Sequence, residues 1–206
     1  MSISIADIFQ RNRIWAKQHL EADSDYFRRL TDVQKPDYLW IGCADSRVPA
    51  NDITGLAPGE LFVHRNIANV VHASDMNCMS VVQYAVEHLH VRHIVICGHY
   101  GCGGVCAAME PQAHGLVDCW LDAVRAAARE HADELAGIGA DQARQDRLCE
   151  LNVRAQVRNM CDSPVVQRAW ERGEGLAVHG WIYSLHDGLL HDLECDVTGA
   201  VSAVSG

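Results

Sequence analysis

Apolar residues recur at helical spacing through the first 35 residues, with Ile5, Ile8, Phe9, Ile14 and Trp15 in one set and Tyr26, Phe27 and Leu30 in a second. That periodicity predicts two amphipathic helices in an N-terminal arm, residues 1–35. Pro36 closes the arm, because a proline biases the residue before it to an extended backbone. Beyond it the pattern changes to short apolar runs bounded by glycine or proline, at 37–42, 60–64, 92–97 and 175–183. Such runs predict strands buried on both faces, as in a parallel sheet. Between them lie helical stretches. The first spans 76–89 and carries a stripe of Met79, Val82, Val86 and Leu89; others span 104–110, 116–136 and 146–172. Ser163-Pro164 breaks the last of these or starts a new helix with proline in its first turn. An edge strand is expected near 191–197, and the small residues of 198–206 predict a flexible tail.

Strands alternating with helices imply right-handed crossovers. The expected fold is therefore α/β, a mostly parallel central sheet flanked by helices, spanning 36–197 and preceded by the helical arm. In such sheets a ligand sits beyond the carboxyl ends of the strands. That rule singles out two segments, 42–47 and 98–104.

Composition narrows the function. The chain has 206 residues, 49% hydrophobic, with 17 Lys and Arg against 27 Asp and Glu, a formal net charge of -10. Nucleic acid and anionic lipid are poor partners for that balance, since phosphate binding needs a positive footprint. No apolar run is long enough to span a membrane, and the first residues lack the order of a secretory signal. A cytoplasmic location is expected. Nine cysteines, spread from Cys43 to Cys195, do not form the dense framework of a small secreted domain. They read as reduced thiols, most of them small buried hydrophobes.

Two or three of these cysteines stand at the strand ends. His99 and Cys102 form an H-x2-C pair in a glycine-rich loop after one strand, and Cys43 ends another. If the two strands are neighbours, two thiolates and an imidazole converge, a set suited to zinc with a fourth position left open. Cys43 as a core thiol and His99 as a loop histidine is the alternative, and the glycines equally suit a phosphate-binding turn. Two residues past Cys43, Asp45 offers a fourth ligand or a hydrogen-bond acceptor, and Arg47 can clamp it through two parallel hydrogen bonds.

CADSRVP at 43–49 together with GHYGCGG at 98–104 resembles the paired signature of the β-class carbonic anhydrases. GELFVHRNIAN at 59–69, SVVQYAVEHL at 80–89 and HGWIYSLHDG at 179–188 extend the resemblance from the arm to about residue 195. It implies reversible hydration of carbon dioxide to bicarbonate, with one zinc ion per subunit held by Cys43, His99 and Cys102. It also implies an Asp45–Arg47 dyad in which Asp45 either binds zinc or is held off it. Gln34, Phe62 and Tyr84 fall at the family's substrate-pocket positions, and Gly103 and Gly104 at its glycine turn. Trp40, Arg65 and Tyr183 match the non-catalytic bicarbonate site of a bacterial-type subgroup, which implies gating by bicarbonate and pH. The family builds homodimers, often paired as tetramers, and the apolar stripe of the arm suits wrapping a partner.

Three other readings share some of these residues. The same scaffold can act on carbon disulfide or carbonyl sulfide, or hold zinc without turnover. Thiol redox chemistry through Cys97, Cys102 and Cys106 lacks the usual C-x2-C pair.

Overall fold

The computed structural model describes residues 3–32 and 34–199. The chain divides into two compact units, Met1–Lys35 and Pro36–Gly206.

The first unit is a pair of helices, α1 (Ile5–Ala22) and α2 (Tyr26–Asp32). Ser4 caps α1: its Oγ accepts from the Asp7 amide at 3.2 Å, while the Asp7 carboxylate accepts from the Ser4 amide at 2.9 Å. This reciprocal box satisfies two of the donors that a helix start leaves open. No residue of α1 is buried. Trp15 packs edge-on against Tyr26 and Phe27 of α2, with ring centroids 6.4 and 5.6 Å apart.

The second unit runs β1 (Tyr38–Cys43), α3 (Ala50–Thr54), β2 (Leu61–Asn66), α4 (Met76–Gln83), β3 (His93–His99), α5 (Gly103–Met109), α6 (Val117–Glu130), α7 (Ala132–Ala136), α8 (Asp141–Cys161), α9 (Pro164–Glu171), β4 (Ala177–Tyr183), β5 (Leu190–Asp192) and β6 (Val197–Thr198). The strand order is β2-β1-β3-β4-β5, with β6 also pairing β4. The first four strands are mutually parallel, and β5 and β6 lie antiparallel to β4. From β1 the chain moves to β2 on one side, then crosses back to β3 on the other. The resulting switch point, where such sheets bind ligands, lies between the ends of β1 and β3.

The uninterrupted apolar runs are the two central strands. Every residue of β1 from Leu39 to Cys43 is buried, as is every residue of β3 from Ile94 to His99. Leu39, Ile41, Ile94, Ile96, Val178 and Ile182 join one large core with the buried faces of α6, α8 and α9. On the opposite face Trp40, Val95 and Cys97 form a smaller cluster with Ala50 and Ile53 of α3. That face carries an apolar groove of about 280 Å³ lined by Trp40, Leu61 and Trp181 among others.

Three expectations need correction. The helix expected over 76–89 ends as α at Gln83 and continues as one wide π turn, Tyr84–His88, closed by the Leu89 amide on the Tyr84 carbonyl at 3.0 Å. That turn sends Ala85 and Val86 inward and leaves Tyr84 half-exposed. The single edge strand expected over 191–197 is two short strands separated by a turn through Glu194, whose φ is 53°. The tail expected at 198–206 begins inside the sheet, because Thr198 pairs with Ala177. Residues 200–206 lie outside the described residues.

Between β2 and α4 the backbone also takes an unfavourable path. Ala68 (φ 60°) and Asn69 (φ 48°) are consecutive left-handed residues with side chains. Each costs about 1–2 kcal/mol relative to an ordinary conformation, so neighbours must hold them there.

Candidate metal centre

Cys43 ends β1, His99 ends β3, and Cys102 caps the start of α5 three residues later. Their donor atoms all lie within 4.8 Å of one another, and all three residues are buried. The two sulfurs are 3.8 Å apart. Gly101, at φ 66°, takes the left-handed turn that brings Cys102 back beside His99.

The imidazole of His99 is fixed by its own backbone. Nδ1 donates to the Tyr100 carbonyl at 3.0 Å, which leaves Nε2 with its lone pair. Nε2 is buried without a hydrogen-bond partner among the described residues. A buried polar atom left unpaired is costly, about 1–3 kcal/mol, unless something absent from the polypeptide satisfies it. His64 makes the contrast. It also lies within 4.8 Å of a carboxylate and a thiol, those of Asp75 and Cys78. Its Nε2, however, accepts from Asn66 Nδ2 at 3.2 Å, and burial lowers its pKa. Its Nε2 is satisfied within the polypeptide, unlike that of His99.

The thiols are poised for the same role. The Cys43 thiol is held below its ordinary pKa, first because Cys102 hydrogen-bonds its thiolate, with a further contribution from His99. Cys102 is pushed up by the same contact and by burial. The remaining cysteines differ. Burial alone holds Cys97 high, and burial first of all raises Cys78, Cys149 and Cys161 to about 12. Cys119 is exposed, and every cysteine is free.

Arg47 clamps Asp45 through two side-chain bonds, Nη2 to Oδ2 at 2.7 Å and Nε to Oδ1 at 3.0 Å. The Arg47 amide adds a third at 2.9 Å. The clamp holds the Asp45 carboxyl well below the usual carboxylate range. Asp45 Oδ2 lies 3.7 Å from His99 Nε2, at the edge of the donor cluster.

The other residues singled out in sequence fall in several places. The Phe62 and Tyr84 rings are 5.9 Å apart, and Tyr84 is 47% exposed, so it does not serve core packing. Gly103 and Gly104 open α5, and Gly104 is pressed by the Ile67 and Ala68 side chains. Gln34 belongs to the N-terminal unit and is exposed. Trp40 and Gly42 share the face of β1 opposite the large core, and Gly42 pairs with Arg65 of β2. The Trp40 indole covers Gly42: a Cβ there would come within 2.3 Å of Nε1. Arg65 pairs with no acid among the described residues. Its Nε donates to the Cys43 carbonyl at 2.8 Å and its Nη2 to the Asp45 carbonyl, bracing the loop that carries both. Tyr183 ends β4 in register with His99.

These features define an α/β protein with a cysteine–histidine cluster able to hold a metal at the sheet's switch point. A family model described as carbonic anhydrase matches residues 38–190. A carbonic anhydrase of Emericella nidulans is 49% identical over 197 residues, covering 96% of this chain and 86% of its own length. Among solved structures, the Coccomyxa β-carbonic anhydrase bound to acetazolamide superposes with a TM-score of 0.91 at 43% identity, covering 96% of this chain and 90% of that one. A tetrameric β-carbonic anhydrase from Sordaria macrospora gives 0.88 at 40% identity, over 92% and 96%. The chain belongs to the carbonic anhydrase family, in its β class, and is a lyase acting on carbon dioxide.

Proposed function

We propose that Cys43, His99 and Cys102 hold one zinc ion per subunit and that this centre carries reversible hydration of carbon dioxide to bicarbonate. The observation that carries the reading is the donor set itself. A tetrahedral site with zinc–sulfur bonds of about 2.3 Å places two thiolates about 3.8 Å apart, and the two sulfurs stand 3.8 Å apart. The unpaired Nε2 of His99 supplies the third donor. A zinc ion bound there supplies Lewis acidity, making hydroxide available near neutral pH for attack on carbon dioxide.

The chain's own residues set how that chemistry is used. Two thiolate ligands offset the metal's formal charge, so activity is expected to rise toward mildly alkaline pH. Asp45 would serve either as a fourth ligand or as a hydrogen-bond acceptor for the substrate water, and Arg47, which clamps both carboxylate oxygens, would select between these roles. Phe62, Tyr84, Gly103 and Gly104 would line the substrate pocket, where apolar surface suits an uncharged gas.

The non-catalytic bicarbonate site belongs to the same proposal. Trp40 is 1% exposed and carries an indole N–H over Gly42. An anion beside Trp40, Arg65 and Tyr183 would accept from it. Arg65 already grips the Cys43 and Asp45 carbonyls, so an anion drawing on Arg65 acts directly on the loop carrying the dyad. Assembly as a homodimer or tetramer covers the exposed Ile5, Ile8 and Phe9 of α1, in line with the tetrameric Sordaria relative.

Metal content and carbon dioxide hydration, measured together on two variants, test the core of this reading. Cys102→Ala is expected to lose both zinc and turnover. Arg47→Ala is expected to keep zinc and lose at least about ten-fold in turnover, because Asp45 is then free to settle on the metal. Retained zinc and turnover in Cys102→Ala would refute the ligand set. Full turnover in Arg47→Ala would refute the gate.

A further inference from the structure

The left-handed turn at Ile67–Asn69 is held from several sides. Trp120 Nε1 donates to the Ile67 carbonyl at 2.8 Å, and Asn66 exchanges two 2.8 Å hydrogen bonds with the Val70 backbone. Two side chains of α8 complete the hold. Asn152 Nδ2 donates to the Ala68 carbonyl at 2.9 Å, and Gln156 Oε1 accepts from the Val71 amide at 2.9 Å. Asn152 and Gln156 are 1% and 0% exposed. Gln156 Nε2 also donates to Asn152 Oδ1 at 2.9 Å, which orients the Asn152 amide so that its N–H faces Ala68. This polar pair sits among Leu148, Leu151, Val153 and Val157 on the buried face of α8, where apolar side chains would pack without needing partners.

The turn in its place touches every ligand-bearing segment. The Asn66 carbonyl accepts from the Ala44 amide, next to Cys43, at 2.8 Å. Ile67 and Ala68 press on Gly104, where a Cβ would lie 2.8 Å from Ile67 Cγ2 and 3.2 Å from Ala68 Cβ. Asn69 Oδ1 lies against Gly98, beside His99, 3.5 Å from where a Cβ on Gly98 would sit. A wedge seated against the neighbours of all three donors sets their spacing.

We infer that Asn152 is a positioning residue of the metal centre: by holding the Ala68 carbonyl it locks the left-handed turn on which the Cys43, His99 and Cys102 segments are seated. The inference rests on the reading of those three residues as zinc ligands. Asn152 touches neither metal nor substrate, and acts through the backbone at Ala68.

The test uses the full chain loaded with zinc or, separately, with cobalt. Two quantities are read: the rate of zinc release to a chelator, and the thiolate-to-cobalt charge-transfer band. Asn152→Leu keeps the side-chain size and removes the donor. It is expected to release zinc about ten- to a hundred-fold faster than the parent, as for other outer partners of metal ligands, and to shift the cobalt band. Adding Ala68→Gly is expected to recover much of the loss, because glycine takes a φ near +60° without penalty. Ser163→Ala serves as the reference for a purely structural loss: it removes the buried cap of α9, and should leave both readouts at the parental value. A parental release rate and band in Asn152→Leu overturn the inference, as does an effect no larger than that of Ser163→Ala. If Asn152→Leu does not fold, Asn152→Ser carries the same measurements with the same outcomes. A parent chain that takes up no stoichiometric zinc overturns the metal reading itself, and the inference with it.

Discussion

Gly98 precedes His99 at the buried end of β3, and the space beside it is already taken. A Cβ built on Gly98 would lie 2.6 Å from Val153 Cγ2 and 3.2 Å from Ile182 Cδ1. The first distance is shorter than any real methyl contact, and both neighbours are fully buried. Gly98→Ala therefore forces β3 and α8 apart or drives Val153 off its rotamer. Overpacking of this kind costs about 1–3 kcal/mol. Against that, alanine in a strand is better than glycine by about 0.5–1 kcal/mol, since Gly98 has no positive φ to protect. The net expectation is a loss of about 1–2 kcal/mol. With a urea slope on the order of 2–3 kcal/mol per molar, the unfolding midpoint falls by roughly 0.5–1 M. Val153→Ala removes the obstructing methyls and is itself destabilising, by about 2 kcal/mol. If the steric reading is right, the double variant is more stable than the two losses summed, by about 1 kcal/mol or more. Urea unfolding of the parent, both single variants and the double variant, at fixed zinc, measures all four terms. An unchanged midpoint for Gly98→Ala, or strict additivity in the double variant, refutes the reasoning.

Two further predictions concern regulation and pH. Steady-state rates against bicarbonate at moderate pH are expected to show cooperative inhibition that weakens in Trp40→Ala; hyperbolic behaviour in both proteins removes the bicarbonate site. The buried thiols of Cys78, Cys149 and Cys161 are pushed from 9.0 to about 12, chiefly by burial. The folded chain keeps them protonated where the unfolded chain ionises. Their contribution is thus complete below pH 9 and lost as pH rises towards 12. By pH 10 each should remove about 1 kcal/mol. Thermal midpoints at pH 8 and 10 check this, and Cys161→Ala should flatten the decline; equal midpoints at the two pH values would sink it.

The candidate metal site was legible in sequence because its logic is local. Cys43 and His99 sit at the ends of apolar runs and Cys102 follows three residues on, and the rule that ligands gather beyond parallel strands needs only those ends. The same economy explains what was missed. Five-residue α3 is too short to show a period. The π turn after Gln83 keeps an apolar stripe compatible with an ordinary helix, and its width is decided by how Ala85 and Val86 pack. Nothing in the spacing of Asn152 or Gln156 distinguishes them from polar residues on a solvated face. Both are buried, and their partners Ala68 and Val71 lie 84 and 85 residues away.

By itself, the sequence determined which segments become strands and helices, which thiols and imidazole stand at strand ends, and that Arg47 follows Asp45 closely enough to clamp it. Those properties follow from periodicity and from separations of a few residues, which the chain carries wherever it folds. Only the tertiary structure decided that β1 lies beside β3, so that Cys43 meets Cys102 across 59 residues at 3.8 Å. It alone left His99 Nε2 buried without a partner, engaged Arg65 with backbone carbonyls instead of an acid, and set a strained turn under α8. Those outcomes depend on contacts between distant segments, where burial makes an unpaired polar atom expensive and a neighbour's position decides which group is left unpaired.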